Sequence, residues 1–252
     1  MQLDEYQKMF EAEERHFWFR ASRTIVERWL LRAMAEAGLD QRASLVDVGA
    51  GTGGMLSRVS GQAQCLGIEY SPAGVALSRS RGLRVVRGGL PQLPLATASF
   101  DLALSMDVFE HVQDDAAAIA EVRRILRPGG RLIATVPALR WLWSDHDVAL
   151  HHFRRYHLDD LKARLQEGGF GVVRLSYYNT LLLPPIATVR LAGRLRQALG
   201  LGAGASAAVS DVGELPGPLN SLLHRIFVSE ATLLDHMTLP VGASLIVDAR
   251  AL

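Results

Sequence analysis

An apolar strand running directly into a cluster of glycines constrains this chain more than any other feature. Residues 44–56 read SLVDVGAGTGGML. Ser44 to Val48 is a short apolar segment with one acid, Asp47, and Gly49, Gly51, Gly53 and Gly54 follow before helix-compatible residues. Glycines between a strand and a helix let the backbone turn sharply and approach a ligand closely. The alternation then continues. Strands are expected at 44–48, 64–69, 83–87, 100–106 and 131–136, with helices near 53–60, 72–81 and 114–126. Such alternation builds a parallel sheet with right-handed crossovers, and ligands in such sheets sit beyond the carboxyl ends of the strands. Asp47, Glu69, Gly89 and the stretch Ser105, Met106, Asp107 all fall at strand ends.

Two cofactor readings compete for the glycine turn. Gly49, Gly51 and Gly54 satisfy G-x-G-x-x-G, the dinucleotide pattern. A dinucleotide brings a pyrophosphate to the helix N-terminus, where backbone N–H groups favour anions, and a carboxylate in the same loop opposes that. S-adenosylmethionine carries a sulfonium and an ammonium instead, which Asp47 suits. Glu69 ends the next strand and can accept both ribose hydroxyls of either cofactor, so it does not discriminate. An oxidoreductase also lacks support from a recognisable Tyr-x-x-x-Lys pair.

The stretches VDVGAGTGG, GIEYSP, LPQLPLATASFDLALSMDVFEHV and LRPGGRLIATVPA, in that order over roughly residues 44–137, resemble the class I S-adenosylmethionine-dependent methyltransferases. The resemblance implies a doubly wound, mostly parallel seven-stranded Rossmann-like α/β sheet with a final antiparallel strand. It implies S-adenosyl-L-methionine as cofactor. The implied contact set is Asp47, Gly49, Gly51, Gly53, Glu69, Tyr70, Gly89, Leu90, Met106, Asp107 and His111. Gly89 stands where the family often has an acid for the adenine amino group, so adenine would rely on the Leu90 backbone and apolar packing. The resemblance also favours an N-terminal helix over the cofactor. The run Arg15-His16-Phe17-Trp18-Phe19-Arg20 then either places Arg20 or Arg15 near the methionine carboxylate or docks that helix on the sheet.

Methyl transfer asks for an aligned nucleophile, exclusion of water and sometimes a base. The loop after the fifth strand carries His146, Asp147, His151, His152, Arg154, Arg155 and Tyr156. His151, His152 and Tyr156 are expected on the acceptor side as base or orienting groups. His146, Asp147, His151 and His152 also invite a metal reading, but they lack a helical register and the reaction needs no ion, so no metal is expected. A polar loop pinned by hydrogen bonds is the bland alternative. Glu230 interrupts an apolar helical stripe and is expected at its edge, reaching solvent.

Four segments are expected: an N-terminal helical cap (1–40), the cofactor-binding core (41–178), a helical insertion or lid (179–240) and the last core strand (241–252). Within the insertion, Ala187, Leu191, Leu195 and Leu199 share one helical face, with Arg190 and Arg194 on another, and 200–211 reads as a linker. Hydrophobic residues make up 49% of the 252, which suits a buried parallel sheet. The net charge of +1 offers no field for nucleic acid. The lone Cys65 excludes an intrachain disulfide. The acidic start lacks a signal-peptide core and no apolar run approaches a membrane span, so a soluble cytoplasmic protein is expected. The expected partner is a small-molecule or lipid-like acceptor. Peripheral membrane contact and a homodimer stay open, as does a non-catalytic cofactor-binding module.

Overall fold

The computed structural model describes residues 3–198 and 215–252; the stretch 200–211, read as a linker, lies outside them. Seven strands form one sheet: β1 (Ser44–Val48), β2 (Gln64–Glu69), β3 (Val85–Arg87), β4 (Phe100–Met106), β5 (Leu126–Pro137), β6 (Phe170–Tyr178) and β7 (Ser244–Ala251). Their order is β3-β2-β1-β4-β5-β7-β6. The first five strands run parallel, and β7 inserts antiparallel between β5 and β6. The order reverses on either side of β1, which makes the mouth between β1 and β4 the switch point where ligands bind. Central strands are apolar on both faces because helices cover both: Leu45, Val46, Leu102, Ala103, Leu104 and Ile133 are all fully buried.

The helices are α1 (Leu3–Ala12), α2 (Phe17–Glu36), α3 (Gly54–Val59), α4 (Pro72–Ser80), α5 (Asp115–Ile125), α6 (Asp145–Ala149), α7 (Leu158–Glu167), α8 (Leu183–Ala198) and α9 (Gly217–His236). Helix α2 starts five residues earlier than the 22–37 its apolar pattern suggests. Two devices stabilise this start. The His16 ring accepts from the Trp18 N–H, and Asn220 of α9 accepts from the Phe17 N–H at 2.8 Å and donates to the Arg15 carbonyl at 2.9 Å. The aromatic run is therefore the first turn of α2, with Phe17 and Trp18 packed on the core.

Helix α9 packs along α2. Phe227 and Leu234 are buried there, the Phe227 ring stacks on Tyr178 with centroids 6.0 Å apart, and Asp235 pairs with Arg28. Glu230 is fully buried rather than solvent-facing, and its Oε1 accepts from the Leu181 N–H at 2.7 Å, which ties off the turn after β6. Part of the apolar stripe of α9, Phe227, Ala231 and Leu234, is thus buried within the chain, while Leu219, Leu222 and Leu233 stay exposed. Helix α8 touches the loop beyond β5 through Arg190, whose Nη1 donates to the Leu142 carbonyl. Among the described residues no helix is long and apolar enough to cross a membrane.

Candidate active site

The turn after β1 is built as its glycines require. Gly49, Gly51 and Gly53 all have positive φ (81°, 56° and 85°), and a Cβ on Gly49 would collide with Val108 beyond β4. Both first N–H groups of the turn, Gly49 and Ala50, donate to the Ile68 carbonyl on β2. The turn and the end of β2 are thereby locked together. Glu69 completes the lock. Its Oε2 accepts from the Gly51 N–H at 2.8 Å and its Oε1 from the Ser71 N–H at 2.7 Å. Asp47 lies beneath, 2% exposed, with its carboxyl pushed up to about 7 by burial and by the charge of Glu69.

Helix α1 covers this turn. The Tyr6 hydroxyl donates to Glu69 Oε1 at 2.9 Å, and the Met9 methyl lies against Gly51. At the other end of α1, buried Glu13 accepts from Thr52 Oγ1 at 2.8 Å and pairs with Arg81, whose guanidinium sits 4.3 Å over the Phe10 ring. Tyr6 therefore holds an oxygen of Glu69 that a ribose hydroxyl would need. Burial and the Glu69 charge push the Tyr6 phenol up, so it stays a donor. Tyr6→Phe is expected to tighten S-adenosylhomocysteine binding by about 3–10-fold, the worth of one released hydrogen bond. Calorimetric titration checks this, and weaker binding in the variant would show that Tyr6 serves the bound state instead.

Asp47 adds a pH signature. Its ordinary value of 3.8 rises to about 7 on folding, so the folded chain keeps a proton that the unfolded chain releases. The stability this contributes is complete below about pH 4 and lost as pH rises through about 7, at most roughly 4 kcal/mol. Asp47→Asn is expected to flatten that decline, read from urea midpoints between pH 4 and 8. Equal slopes in wild type and variant would contradict the shift.

The other expected residues are spread more widely. Tyr70 is 75% exposed and lies beside Gly89, while Leu90 packs partly buried on the core. Met106 and Asp107 end β4 half-buried; Asp107 has φ 52° and accepts from Thr135 Oγ1 at 3.1 Å. His111 follows, pushed down to about 4 by burial and by His152, so its ring is neutral. Arg20 is exposed on α2 toward His224, because the helix starts at Phe17 and turns that position outward. Two other arginines reach the glycine turn: Arg23, beside Gly54 and paired with Glu13 and Glu14, and Arg81, whose Nε donates to the Thr52 carbonyl at 3.0 Å. Tyr156 lies in the interior. It is 2% exposed, and its hydroxyl donates to Asp115 Oδ2 at 2.8 Å, binding the loop to α5. His151 is exposed with φ 56°, and the His152 ring lies 4.6 Å from that of His111.

The loop is organised around fully buried Asp147, which the sequence placed only among metal candidates. Its carboxylate accepts from Arg155 Nε at 2.7 Å and the Ser144 N–H at 2.9 Å, lies 3.0 Å from His152 Nδ1, and meets Arg190 Nη1 at 3.3 Å. Tyr6 escaped sequence reading because its partner Glu69 lies 63 residues away, whereas Asp147 matches the alternative of a polar loop pinned by hydrogen bonds, with Ser144, His152 and Arg155 all within eight residues of it.

Comparison with known proteins finds similarity to methyltransferases over part of the chain. Residues 46–134 match the profile of a methyltransferase domain. A probable S-adenosylmethionine-dependent methyltransferase of Mycolicibacterium smegmatis is 32% identical over 164 residues, 63% of this chain and 61% of that protein. A malonyl-acyl-carrier-protein O-methyltransferase of Methylococcus capsulatus is 33% identical over 147 residues, 53% of this chain and 54% of that protein. The matches thus span less than two thirds of these curated relatives. A Thermotoga maritima protein described as a SAM-dependent methyltransferase, possibly acting on histamine, superposes with a TM-score of 0.59 at 17% identity, covering 98% of this chain and 94% of its own. At that identity the likeness is one of fold.

Proposed function

Because the chain belongs to the class I S-adenosylmethionine-dependent methyltransferases, we propose that it transfers a methyl group from S-adenosylmethionine to a small-molecule, lipid-linked or sugar-linked acceptor. The observation that carries this reading is the convergence of Asp47, the positive-φ glycine turn and Glu69 at one strand-end, with Glu69 oriented by the Gly51 and Ser71 N–H groups. When bound, the cofactor supplies a methyl carbon activated by positive sulfur. Asp47 would face the cationic part and Glu69 the ribose hydroxyls. Gly49 and Gly53 give the backbone room to approach, and Gly89 with Leu90 would border the adenine. Helix α1, pinned by Glu13, keeps water from the turn.

The acceptor is assigned to the side of the β4 end and the loop beyond β5. His152 stands there beside His111, and His151 lies one residue away at the surface. The same loop exposes Trp141, Val148 and Phe153, which supports an acceptor with a hydrophobic part. The test is incubation with methyl-labelled S-adenosylmethionine and fractionated lipid and polar metabolite extracts, followed by mass analysis. The expected result is label in a lipid-linked or small polar acceptor. Cofactor binding without label in any fraction would overturn transferase activity and leave a binding module.

A further inference from the structure

Three side chains with metal-ligating atoms meet where the end of β4 faces the loop beyond β5. Glu110 and His111 lie in the single 3-10 turn Phe109–His111, and His152 comes from the loop. One ligand atom of each lies within 4.8 Å of the others. The two imidazoles meet edge to face, with their planes at 81°.

Each imidazole has a polar group beside it. His152 Nδ1 lies 3.0 Å from Asp147 Oδ1, and the backbone of Leu150 lies beside the His111 ring. Each ring offers one nitrogen to an ion. A carboxylate or carbonyl on the far nitrogen is the usual companion of a metal-bound histidine, because it fixes the tautomer and the ring orientation. Asp147 is itself held by Arg155 and Ser144, so the support extends beyond the first contacts.

Glu110 supplies the independent sign of a ligand. It is fully buried, and neither of its carboxylate oxygens has a hydrogen-bond partner among the described residues. A buried carboxyl group left without a donor is costly, and a bound cation removes that cost. Asp107 and Asp147 lie in electrostatic reach of Glu110, as does Arg155. The balance around the three side chains favours positive charge.

We propose that Glu110, His111 and His152 bind a divalent first-row transition ion, with Zn²⁺ the best match, and leave coordination positions for water or an acceptor oxygen. Two imidazoles, one carboxylate and an open position are the donor set of such ions. Ligand bonds of about 2.0–2.2 Å require the donors to close in slightly, which small side-chain rotations accomplish. This differs from the expectation of no metal and from the ligand set His146, Asp147, His151 and His152. Of those four only His152 joins the cluster, and Asp147 serves as its outer partner. The site rests on these side chains alone. Its test reads binding, so it fails or stands separately from the methyl-transfer reading.

The test uses tag-free full-length protein stripped with a chelator and titrated with Co²⁺, followed by its visible d–d absorption and then by displacement with Zn²⁺. The expected result is saturation at one equivalent, with displacement by Zn²⁺. Glu110→Gln and His152→Ala should each weaken Co²⁺ affinity by about tenfold or more, whereas His151→Ala should leave it unchanged. Circular dichroism verifies the fold of each variant. Where His152→Ala does not fold, His152→Gln, which keeps a polar group near Asp147, is read in its place. Absence of d–d bands at one equivalent would overturn the proposal. So would undiminished binding in folded Glu110→Gln, or an equal loss in His151→Ala.

Discussion

Asp147→Ala is expected to cost about 3–5 kcal/mol of folding stability, the largest effect of any single substitution considered for this chain. Asp147 is fully buried and joins three segments: Ser144 at the head of α6, His152 and Arg155 in the loop, and Arg190 on α8. Arg155 is almost equally buried and also donates from Nη1 to the Ala138 carbonyl at 2.9 Å. Removing the carboxylate strands the Arg155 guanidinium in the interior, which is the expensive way to break a buried pair. Burial works to raise the Asp147 carboxyl, yet His152, Arg155 and Arg190 outweigh it and hold it well below the usual carboxylate range. Its contribution is therefore present above about pH 4, where the unfolded chain ionises, and is lost as pH falls toward the depressed folded value. Denaturant unfolding at neutral pH checks the magnitude. Asp147→Asn, which keeps the shape and part of the hydrogen bonding, should fall between the two. A loss under about 1 kcal/mol in Asp147→Ala would show that the loop is held by something else.

Glu69→Ala is expected to weaken S-adenosylhomocysteine binding by about 10–100-fold, corresponding to roughly 1–3 kcal/mol. Glu69 is 5% exposed and serves two functions through the same oxygens. It orders the glycine turn by accepting from the Gly51 and Ser71 N–H groups, and it offers the acceptor that the ribose hydroxyls need. Alanine removes both. Glu69→Gln separates them, because an amide keeps one acceptor oxygen but replaces the other with a donor that faces the N–H groups. Glutamine is therefore expected to recover only part of the affinity. Calorimetric titration reads both variants, and an affinity unchanged in Glu69→Ala would mean that the ribose binds elsewhere.

Legibility in the sequence followed the distance over which each feature is specified. The strand, glycine turn and helix at residues 44–59 and Glu69 at the end of β2 are local patterns, and each appears where the pattern places it, while the antiparallel last strand follows the family resemblance. The start of α2 was hidden because aromatic residues are weak helix formers, and its capping partner Asn220 lies 203 residues away from Phe17. Tyr6 reads as one more apolar position of an amphipathic helix, and nothing near it announces a hydrogen bond to Glu69 across 63 residues. Glu230 looks like the edge of a stripe until the turn at Leu181 folds over it. Tyr156 and Arg20 both sit in chemically suggestive strings; Asp115 takes the first into the core and the turn of α2 sends the second to the surface.

The central claim is that the pocket formed by Asp47, the glycine turn and Glu69 belongs to S-adenosylmethionine. Calorimetric titration of the wild-type chain with S-adenosylhomocysteine and, separately, with NAD tests it most directly. The account expects saturable binding of S-adenosylhomocysteine at one equivalent, lost or strongly weakened in Glu69→Ala, with no measurable heat from NAD. Saturable NAD binding with none of S-adenosylhomocysteine would contradict it.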